Sequence, residues 1–361
     1  MSLRVLVVDD TVVFRRIVSD ALTGLQDVEV VGTAANGKLA LARMAALQPD
    51  LVTLDIEMPE MNGIEVLEAM GPAGLKAGVI VLSSLTTRGG EMTVRALELG
   101  AFDFITKPDR GTPADNLAQL RDHLHPTIRA FERRRDIRRM LHAVAQPATE
   151  RPIAALGEPS RITRPRLGSA LVLIGVSTGG PAALASLIPA LPADLNAPVL
   201  IVQHMPAMFT KPLAASLGRK SALSVAEARD GDVAKPNCVY VAPGGAQMKA
   251  VAGTRGETIL RITDDPPENG CKPSVDYLFR SVALQFPGRA VAAILTGMGN
   301  DGTAGLRLLK RGGCRSIAQD EASCVVFGMP KEAIATGLID TVAPLDQIAG
   351  AILRSVREGC V

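Results

Sequence analysis

The sequence contains no tryptophan, and aromatic residues make up only 3% of its 361 positions. Proteins that bind single-stranded nucleic acid stack the bases on aromatic side chains, so this composition argues against a nucleic-acid partner. Long hydrophobic runs are also missing. The longest apolar stretches, such as residues 171–176, are far shorter than the roughly eighteen residues that span a membrane, and no membrane insertion is expected.

The sequence indicates neither a secretory signal nor a disulfide framework. The amino terminus reaches Asp9 and Asp10 after one short apolar run, without a longer apolar region or a small-residue cleavage site, which predicts a cytoplasmic location. The cysteines are odd in number and lack metal-ligand spacing, so we expect them to be reduced and mostly structural. The five are Cys238, Cys271, Cys314, Cys324 and Cys360.

The length predicts two domains of roughly 100 to 200 residues, and the charge divides the chain at matching points. Residues 1–125 carry 11 Lys+Arg against 17 Asp+Glu, residues 126–168 carry 10 against 4, and residues 169–361 carry 18 against 16. The basic middle segment contains a run of helical propensity at 131–144, followed by four prolines. We interpret it as a linker, and a basic arm for nucleic acid or an acidic partner is the alternative.

The first domain shows apolar runs that alternate with amphipathic, helix-like stretches. This alternation predicts a parallel sheet with helices on both faces, and ligands then bind beyond the carboxyl ends of the strands. The predicted strands lie near 5–8, 28–32, 51–54, 79–82 and 102–105. Polar residues follow four of them, namely Asp9, Asp10, Asp55, Ser83 and Lys107. Three carboxylates at one edge repel each other unless a cation lies between them, and hard oxygen ligands suit Mg²⁺.

The second domain repeats the alternation, with glycine-rich or polar motifs after its strands. Strands are predicted at 171–174, 199–202 and 291–295, and they are followed by GVSTGG, QHMP and TGMGNDG. The first motif matches G-x-S-x-G, a strand-to-helix turn that exposes a serine, here Ser177. A serine nucleophile needs a base, and His204 is the only histidine after position 142.

The third motif supplies an acid and also carries an alternative interpretation. Asp301 could orient the imidazole of His204, as the acid of a hydrolytic triad does. The same segment, 297–302, fits G-x-G-x-x-G, and Asp320 lies at the spacing of a ribose-binding acid. Two points weaken this nicotinamide-binding hypothesis. Asp301 would put a carboxylate beside the pyrophosphate, and only about 60 residues follow, too few for a full dinucleotide domain.

The pattern of residues 1–125 resembles the receiver domain of two-component response regulators, a flavodoxin-like fold with a five-stranded parallel sheet. The resemblance implies that a histidine kinase supplies a phosphoryl group to Asp55 and that Mg²⁺ is the cofactor of this step. Asp10 and Asp55 would bind Mg²⁺ directly. Asp9 would bind it through water, and the carbonyl oxygen of Glu57 would complete the protein ligands.

The same resemblance assigns receiver switch residues. Ser83 would form a hydrogen bond with the new phosphoryl group, and Lys107 would pair with it. The peptide bond between Lys107 and Pro108 is expected to be cis. Phe104 stands where many receivers have the tyrosine of a rotameric switch.

Jointly, GVSTGG, QHMP, TGMGNDG and the receiver pattern resemble the chemotaxis protein-glutamate methylesterase family across nearly the full length. This implies hydrolysis of γ-glutamyl methyl esters on the cytoplasmic helices of chemoreceptors, with deamidation of receptor glutamines as a second activity. Ser177 would be the nucleophile, His204 the base and then the acid, and Asp301 its orienting partner. The backbone N–H of Met298, with Thr178 nearby, would hold the oxyanion. The hydrolase itself would need no cofactor.

The resemblance also predicts how the two domains are arranged. Residues 169–361 would form a doubly wound α/β methylesterase domain with a mostly parallel sheet, and residues 126–168 would connect it to the receiver. The linker is long enough for the receiver to fold back over the edge that carries Ser177. Phosphorylation would then relieve this occlusion.

Overall fold

The receiver-like half is a five-stranded parallel sheet flanked by helices. The structure, a computed structural model, describes residues 2–108, 111–144 and 170–358. The strand order is β2-β1-β3-β4-β5, and all four pairings are parallel. The elements are β1 Leu3–Val8, α1 Val12–Thr23, β2 Val28–Ala34, α2 Gly37–Leu47, β3 Leu51–Asp55, α3 Gly63–Met70, β4 Gly78–Ser83, α4 Thr87–Glu98, β5 Asp103–Thr106 and α5 Pro113–Val144. The predicted fold class is confirmed.

Helix α5 joins the first domain to the basic segment without a break. It contains the predicted helical run 131–144 and crosses residue 126, where we place the start of the linker. The four prolines of the proposed linker lie outside the described residues. In the described part of the chain, no helix is both long and apolar enough to cross a membrane.

The second half is built on a seven-stranded sheet of order β14-β13-β12-β6-β7-β9-β8, whose pairings are all parallel. An antiparallel pair, β10 and β11, lies outside it. The elements are β6 Leu171–Val176, α6 Gly180–Leu187, β7 Val199–Gln203, α7 Ala207–Lys220, β8 Ser224–Glu227, β9 Cys238–Val241, β10 Gln247–Ala252, β11 Thr258–Thr263, α8 Val275–Gln285, β12 Ala290–Ile294, α9 Thr303–Arg311, β13 Arg315–Gln319, α10 Met329–Ala335, β14 Thr341–Ala343 and α11 Leu345–Glu358.

The centre of this sheet explains why its strands are visible in the sequence. Strands β6, β7 and β12 are buried along their whole length, as expected for parallel strands covered by helices on both faces. They are adjacent in the sheet, in the order β12-β6-β7. Their carboxyl ends therefore bring GVSTGG, QHMP and TGMGNDG to one edge.

The two halves pack against each other through the α4 and β5 side of the receiver. Helix α4 lies against α6 and α7 of the second domain. Phe104 stacks on Phe209 of α7 with ring centroids 4.6 Å apart. Glu98 at the end of α4 accepts a hydrogen bond from Ser216 and forms an ion pair with Lys220 at 2.9 Å. The receiver therefore folds back onto the second domain, as predicted.

Candidate active site

Ser177 lies in a tight turn between β6 and α6. Its backbone N–H donates to the Thr296 carbonyl at 3.0 Å, and its own carbonyl accepts from Gly180 at 2.8 Å. Gly179 has a φ of +76°, and a Cβ there would stand 2.3 Å from the Cβ of Val325, so this position requires glycine. The predicted strand-to-helix turn is confirmed, and it leaves Ser177 partly exposed.

His204 immediately follows β7, and its ring is bonded to the predicted acid. Its backbone N–H donates to the carbonyl of Val176, which fixes it beside the strand that carries Ser177. Its Nε2 lies 2.8 Å from Oδ2 of Asp301. Burial disfavours the imidazolium, but the hydrogen bond with Asp301 and the contact with Cys271 outweigh it and raise the pKa of His204 to about 9.

Asp301 is buried and is anchored by more donors than the sequence indicates. Oδ2 accepts from His204 and from the backbone N–H of Val275, and Oδ1 accepts from four further groups. These donors are the side chains of Asn269 and Ser274 and the backbone N–H groups of Asp276 and Gly302. Burial alone would raise the pKa of Asp301, but the bond to His204 and the backbone donors hold that pKa well below its usual range.

Three of those donors come from the first residues of α8, which sequence reasoning missed. Ser274 caps α8, and the next two residues offer the unpaired N–H groups of a helix amino terminus. The partial positive charge of this end favours the ionised carboxylate of Asp301. A serine such as Ser274 before a helical pattern predicts a helix cap. It does not predict which distant carboxylate will accept hydrogen bonds from that end of the helix.

Gln203 ties the nucleophile to the base through their main chains. Its Nε2 donates to the carbonyl oxygens of Ser177 at 3.0 Å and of His204 at 3.1 Å. No hydrogen bond joins the Ser177 hydroxyl directly to His204 among the described residues. Catalytic hydrogen bonds are often long before substrate binds, so this separation is compatible with a nucleophile and base pair.

The loop that carries Met298 packs directly on Ser177. A Cβ on Gly297 would stand 2.7 Å from the Cβ of Ser177. The loop that contains Gly297 therefore lies so close to the Ser177 turn that no side chain fits between them. Thr178 contributes its carbonyl to the hydroxyl of Thr296 at 3.0 Å. The structure therefore brings both predicted oxyanion residues next to Ser177. It gives Asp301 a bond to His204 instead of the phosphate-facing position that the nicotinamide hypothesis requires.

The acidic site of the receiver contains the predicted residues. Asp9, Asp10 and Asp55 present carboxylate oxygens within 4.8 Å of one another. Lys107 Nζ lies 2.6 Å from Asp9 and 2.7 Å from Asp55. The backbone N–H of Glu57 donates to Asp55 at 3.3 Å. This all-oxygen set of closely spaced carboxylates fits Mg²⁺.

The electrostatics of this site centre on the buried Asp55. Burial raises the pKa of Asp55 to about 6, although the ammonium group of Lys107 acts in the opposite direction. For Lys107, burial favours the neutral form, but Asp55 and Asp9 outweigh it and raise the pKa. A cation at this position would therefore stabilise the ionised form of Asp55, the form that can act as a nucleophile.

Ser83 and Lys107 lie at the carboxyl ends of neighbouring strands of the receiver, and the structure contradicts the prediction made for the Lys107–Pro108 bond. The hydroxyl of Ser83 lies buried at the end of β4 and accepts a hydrogen bond from Thr93 at 2.7 Å. The peptide bond between Lys107 and Pro108 is trans, so the predicted cis bond is wrong. The trans isomer is the intrinsically favoured one for X-Pro bonds, and Lys107 reaches both carboxylates without the cis form.

The receiver reaches the edge of the hydrolytic site. Asp103 at the start of β5 lies against Thr178, the residue after Ser177. Burial raises the pKa of Asp103 to about 6. On the other side of Ser177, Met298 and Val325 pack against the buried apolar cluster of the receiver. The predicted switch residue Phe104 is thus an interdomain contact, as described above.

Fold and site together define a response regulator whose output domain has a serine-hydrolase arrangement. Residues 5–115 match the family model for the response regulator receiver domain, and residues 172–352 match the CheB methylesterase model. The chain belongs to the CheB methylesterase family.

Two curated relatives are similar to this chain over nearly its full length, and one solved structure is similar to about half of it. A protein-glutamate methylesterase/protein-glutamine glutaminase of Desulfotalea psychrophila is 50% identical over 99% of both chains. One of the same name from Bacillus subtilis is 42% identical over 99% of both chains. The crystal structure of the Thermotoga maritima CheB methylesterase catalytic domain is 41% identical, covers 52% of this chain and 99% of that chain, and has a TM-score of 0.51.

Proposed function

We propose that this protein removes methyl esters from glutamate side chains of chemoreceptors, and deamidates receptor glutamines, under the control of receiver phosphorylation in the cytoplasm. The observation that carries the proposal is the bond between His204 and Asp301 at the strand edge that also bears Ser177. The full-length relatives support the substrate class, because they carry both activities in their names. The substrate would be the methyl ester or amide of a receptor helix.

In this mechanism, Ser177 attacks the ester carbonyl and His204 moves the protons. Because Nε2 faces Asp301, Nδ1 is the ring nitrogen that accepts the hydroxyl proton of Ser177. The tetrahedral intermediate then expels the methoxy group, which takes that proton from the imidazolium and leaves as methanol. Water attacks the acyl-enzyme in the second half of the cycle, with His204 again as base, and releases the glutamate carboxylate and free Ser177.

The developing oxyanion would be held by the backbone N–H of Met298, with Thr178 nearby. The support is the contact of the preceding Gly297 with Ser177, which puts this loop beside the reacting carbonyl. A preorganised donor of this kind is worth about 10² to 10³ in rate, since it meets charge that exists only in the transition state. Asp301 keeps His204 in the tautomer that can accept a proton at Nδ1.

In the receiver, Asp55 would take a phosphoryl group from a histidine kinase. Mg²⁺ would be held by Asp10 and Asp55 directly, by Asp9 through water and by the carbonyl of Glu57. It would supply positive charge to the transferring phosphoryl group. Lys107 would pair with the phosphate formed on Asp55, and Ser83 would donate a hydrogen bond to it.

Phosphorylation would act by loosening the packing of the receiver on the hydrolase. The supporting observations are the contacts of Asp103 with Thr178 and of Phe104 with Phe209, close to the Ser177 turn. A receptor helix needs access to this same edge. A shift from 1% to 50% open requires about 2.7 kcal/mol, which a few charge-assisted contacts can supply.

The proposal is tested by methanol release from methylated receptor membranes. The parent protein should release methanol, and Ser177→Ala should release essentially none. Ser224→Ala, at an exposed position on β8, is the matched control and should keep the parental rate. Methanol release by Ser177→Ala at the parental rate would exclude Ser177 as the nucleophile.

A further inference from the structure

A third ligand-type side chain lies beside the His204 and Asp301 pair, and the hydrolytic mechanism does not use it. The Sγ atom of Cys271 is 3.7 Å from Nδ1 of His204. Cys271 is a free, partly buried thiol. His204, Cys271 and Asp301 offer ligand atoms that all lie within 4.8 Å of one another. Imidazole and thiolate are the ligands that Zn²⁺ prefers.

The distance between the two atoms fits a zinc ion bound to both. Zinc bonds are about 2.0 Å to imidazole nitrogen and about 2.3 Å to thiolate sulfur. With ligand atoms 3.7 Å apart, these bonds enclose an angle of about 120° at the metal. An ideal tetrahedral angle of about 109° needs a separation of about 3.5 Å, so the atoms require almost no movement.

Both ligands are held in place without the metal. Glu268 and Cys271 exchange two backbone hydrogen bonds, of 2.8 and 3.1 Å, which close a tight turn. Gln247 donates to the carbonyl of Cys271 at 3.3 Å. On the other side, Asp301 fixes the ring of His204 through Nε2. Little conformational entropy is lost when such a site binds its ion.

Asp301 acts here as an outer-shell partner and not as a ligand. Its carboxylate already accepts six hydrogen bonds, one of them from His204. A histidine that binds zinc usually donates its other N–H to a carboxylate, which fixes the tautomer and leaves the second nitrogen free for the metal. The pair of His204 and Asp301 has this arrangement, with Nδ1 facing Cys271.

We propose that Cys271 Sγ and His204 Nδ1 form a Zn²⁺ site that inhibits the hydrolase. Binding releases the thiol proton of Cys271 and the Nδ1 proton of the imidazolium form of His204 to solvent and forms a zinc–sulfur and a zinc–nitrogen bond, with water completing the coordination. The metal occupies the lone pair that would accept the proton of Ser177. The inhibition rests on the proposed role of His204 as base, whereas the binding does not.

The first experiment measures inhibition of the full-length protein. Methanol release is followed at fixed Mg²⁺ in zinc-buffered solution, and each variant is normalised to its own rate without zinc. Mg²⁺ does not compete here, because it prefers oxygen ligands. We expect Cys271→Ser and Cys271→Ala to raise the half-inhibiting Zn²⁺ concentration at least about tenfold. Cys238→Ser, at the other partly buried free thiol, should leave it unchanged.

The second experiment measures binding without catalysis, with Co²⁺ in place of zinc. The protein should show a thiolate-to-cobalt charge-transfer absorption, which should also appear in Ser177→Ala. It should be lost in Cys271→Ser and in His204→Gln, each checked for parental thermal unfolding. Absorption that survives both ligand variants, or is absent from the parent, overturns the proposal. An absorption that depends on Cys271 in a protein without esterase activity would keep the metal site and reject the proposed function.

Discussion

Replacing Asp103 by asparagine should make the unphosphorylated protein less active. Asp103 lies at the start of β5, where its carboxyl accepts from the Phe104 backbone at 2.8 Å and lies against Thr178 of the hydrolase. Burial raises its pKa from 3.8 to about 6, and the hydrolase contributes to this burial because Thr178 lies against the carboxyl. Closing the two domains therefore carries the cost of burying a negative charge.

The sign and size of this cost follow from the pKa shift. The closed state binds a proton more tightly than the open state, so the closed state is most stable below about pH 4 and loses stability as pH rises towards 6. Above about pH 6 the closed state has lost all of this stability, and the loss no longer changes with pH. A shift of two units corresponds to at most about 3 kcal/mol at pH 7, the value for burial that comes entirely from the interface, and to about half of that at pH 5. Asparagine has the same shape as aspartate and carries no charge. The closed state of Asp103→Asn therefore does not lose stability as the pH rises.

The assay is methanol release by unphosphorylated full-length protein. Asp103→Asn should reduce the basal rate at pH 7 by up to about a hundredfold, because 3 kcal/mol shifts the population towards the closed state by that order. The ratio of the parental rate to the rate of the variant should be about tenfold smaller at pH 5 than at pH 7. Asp122→Asn, on an exposed part of α5, removes the same charge away from the interface and should leave the rate unchanged. An unchanged or higher basal rate in Asp103→Asn, or a ratio independent of pH, would refute the argument.

Three further predictions concern the triad and the phosphoacceptor. Ser177→Ala and His204→Ala should each abolish most esterase activity. The double variant should be little less active than either single variant, because the two residues act as a unit, and additive losses in kcat would contradict the assignment. Since only neutral His204 can accept a proton and its pKa is raised to about 9, kcat/KM should increase with pH up to about that value, and an acid limb near 6.5 would contradict it. A small phosphodonor with Mg²⁺ should activate the parent but not Asp55→Ala, as measured by methanol release; activation of both would reject Asp55.

The residues of the proposed triad could be singled out from the sequence because each one belongs to a short local motif after a buried strand. Ser177, His204 and Asp301 follow β6, β7 and β12, and these strands are continuous apolar runs. Parallel strands necessarily present their carboxyl ends at one edge. The predicted strands agree with the observed ones to within a few residues, since the apolar runs set their limits.

Other parts of the site could not be predicted, because they depend on contacts between distant segments. Cys271 is 67 residues from His204 in the chain, and no spacing rule connects them. Ser274 anchors Asp301 through a helix cap that has no signature for its target, and Asn269 binds Asp301 from the preceding turn. Strands β8 to β11, β13 and β14 were not predicted either. The first is only four residues long and largely solvent-facing, so its apolar pattern is weak.

The arrangement of β5 gives a physical reason why a change at Asp55 can reach the hydrolase. Lys107, just beyond β5, is bound to the carboxylate of Asp55 at 2.7 Å. The same strand carries Asp103, which lies against Thr178, and Phe104, which packs on Phe209 of α7. A phosphoryl group on Asp55 adds about −1.5 to −2 charge beside Lys107 and must change how that side chain is held. Since β5 is only four residues long and joins Lys107 to both contacts, we expect a displacement of Lys107 to reach the interface next to the nucleophile.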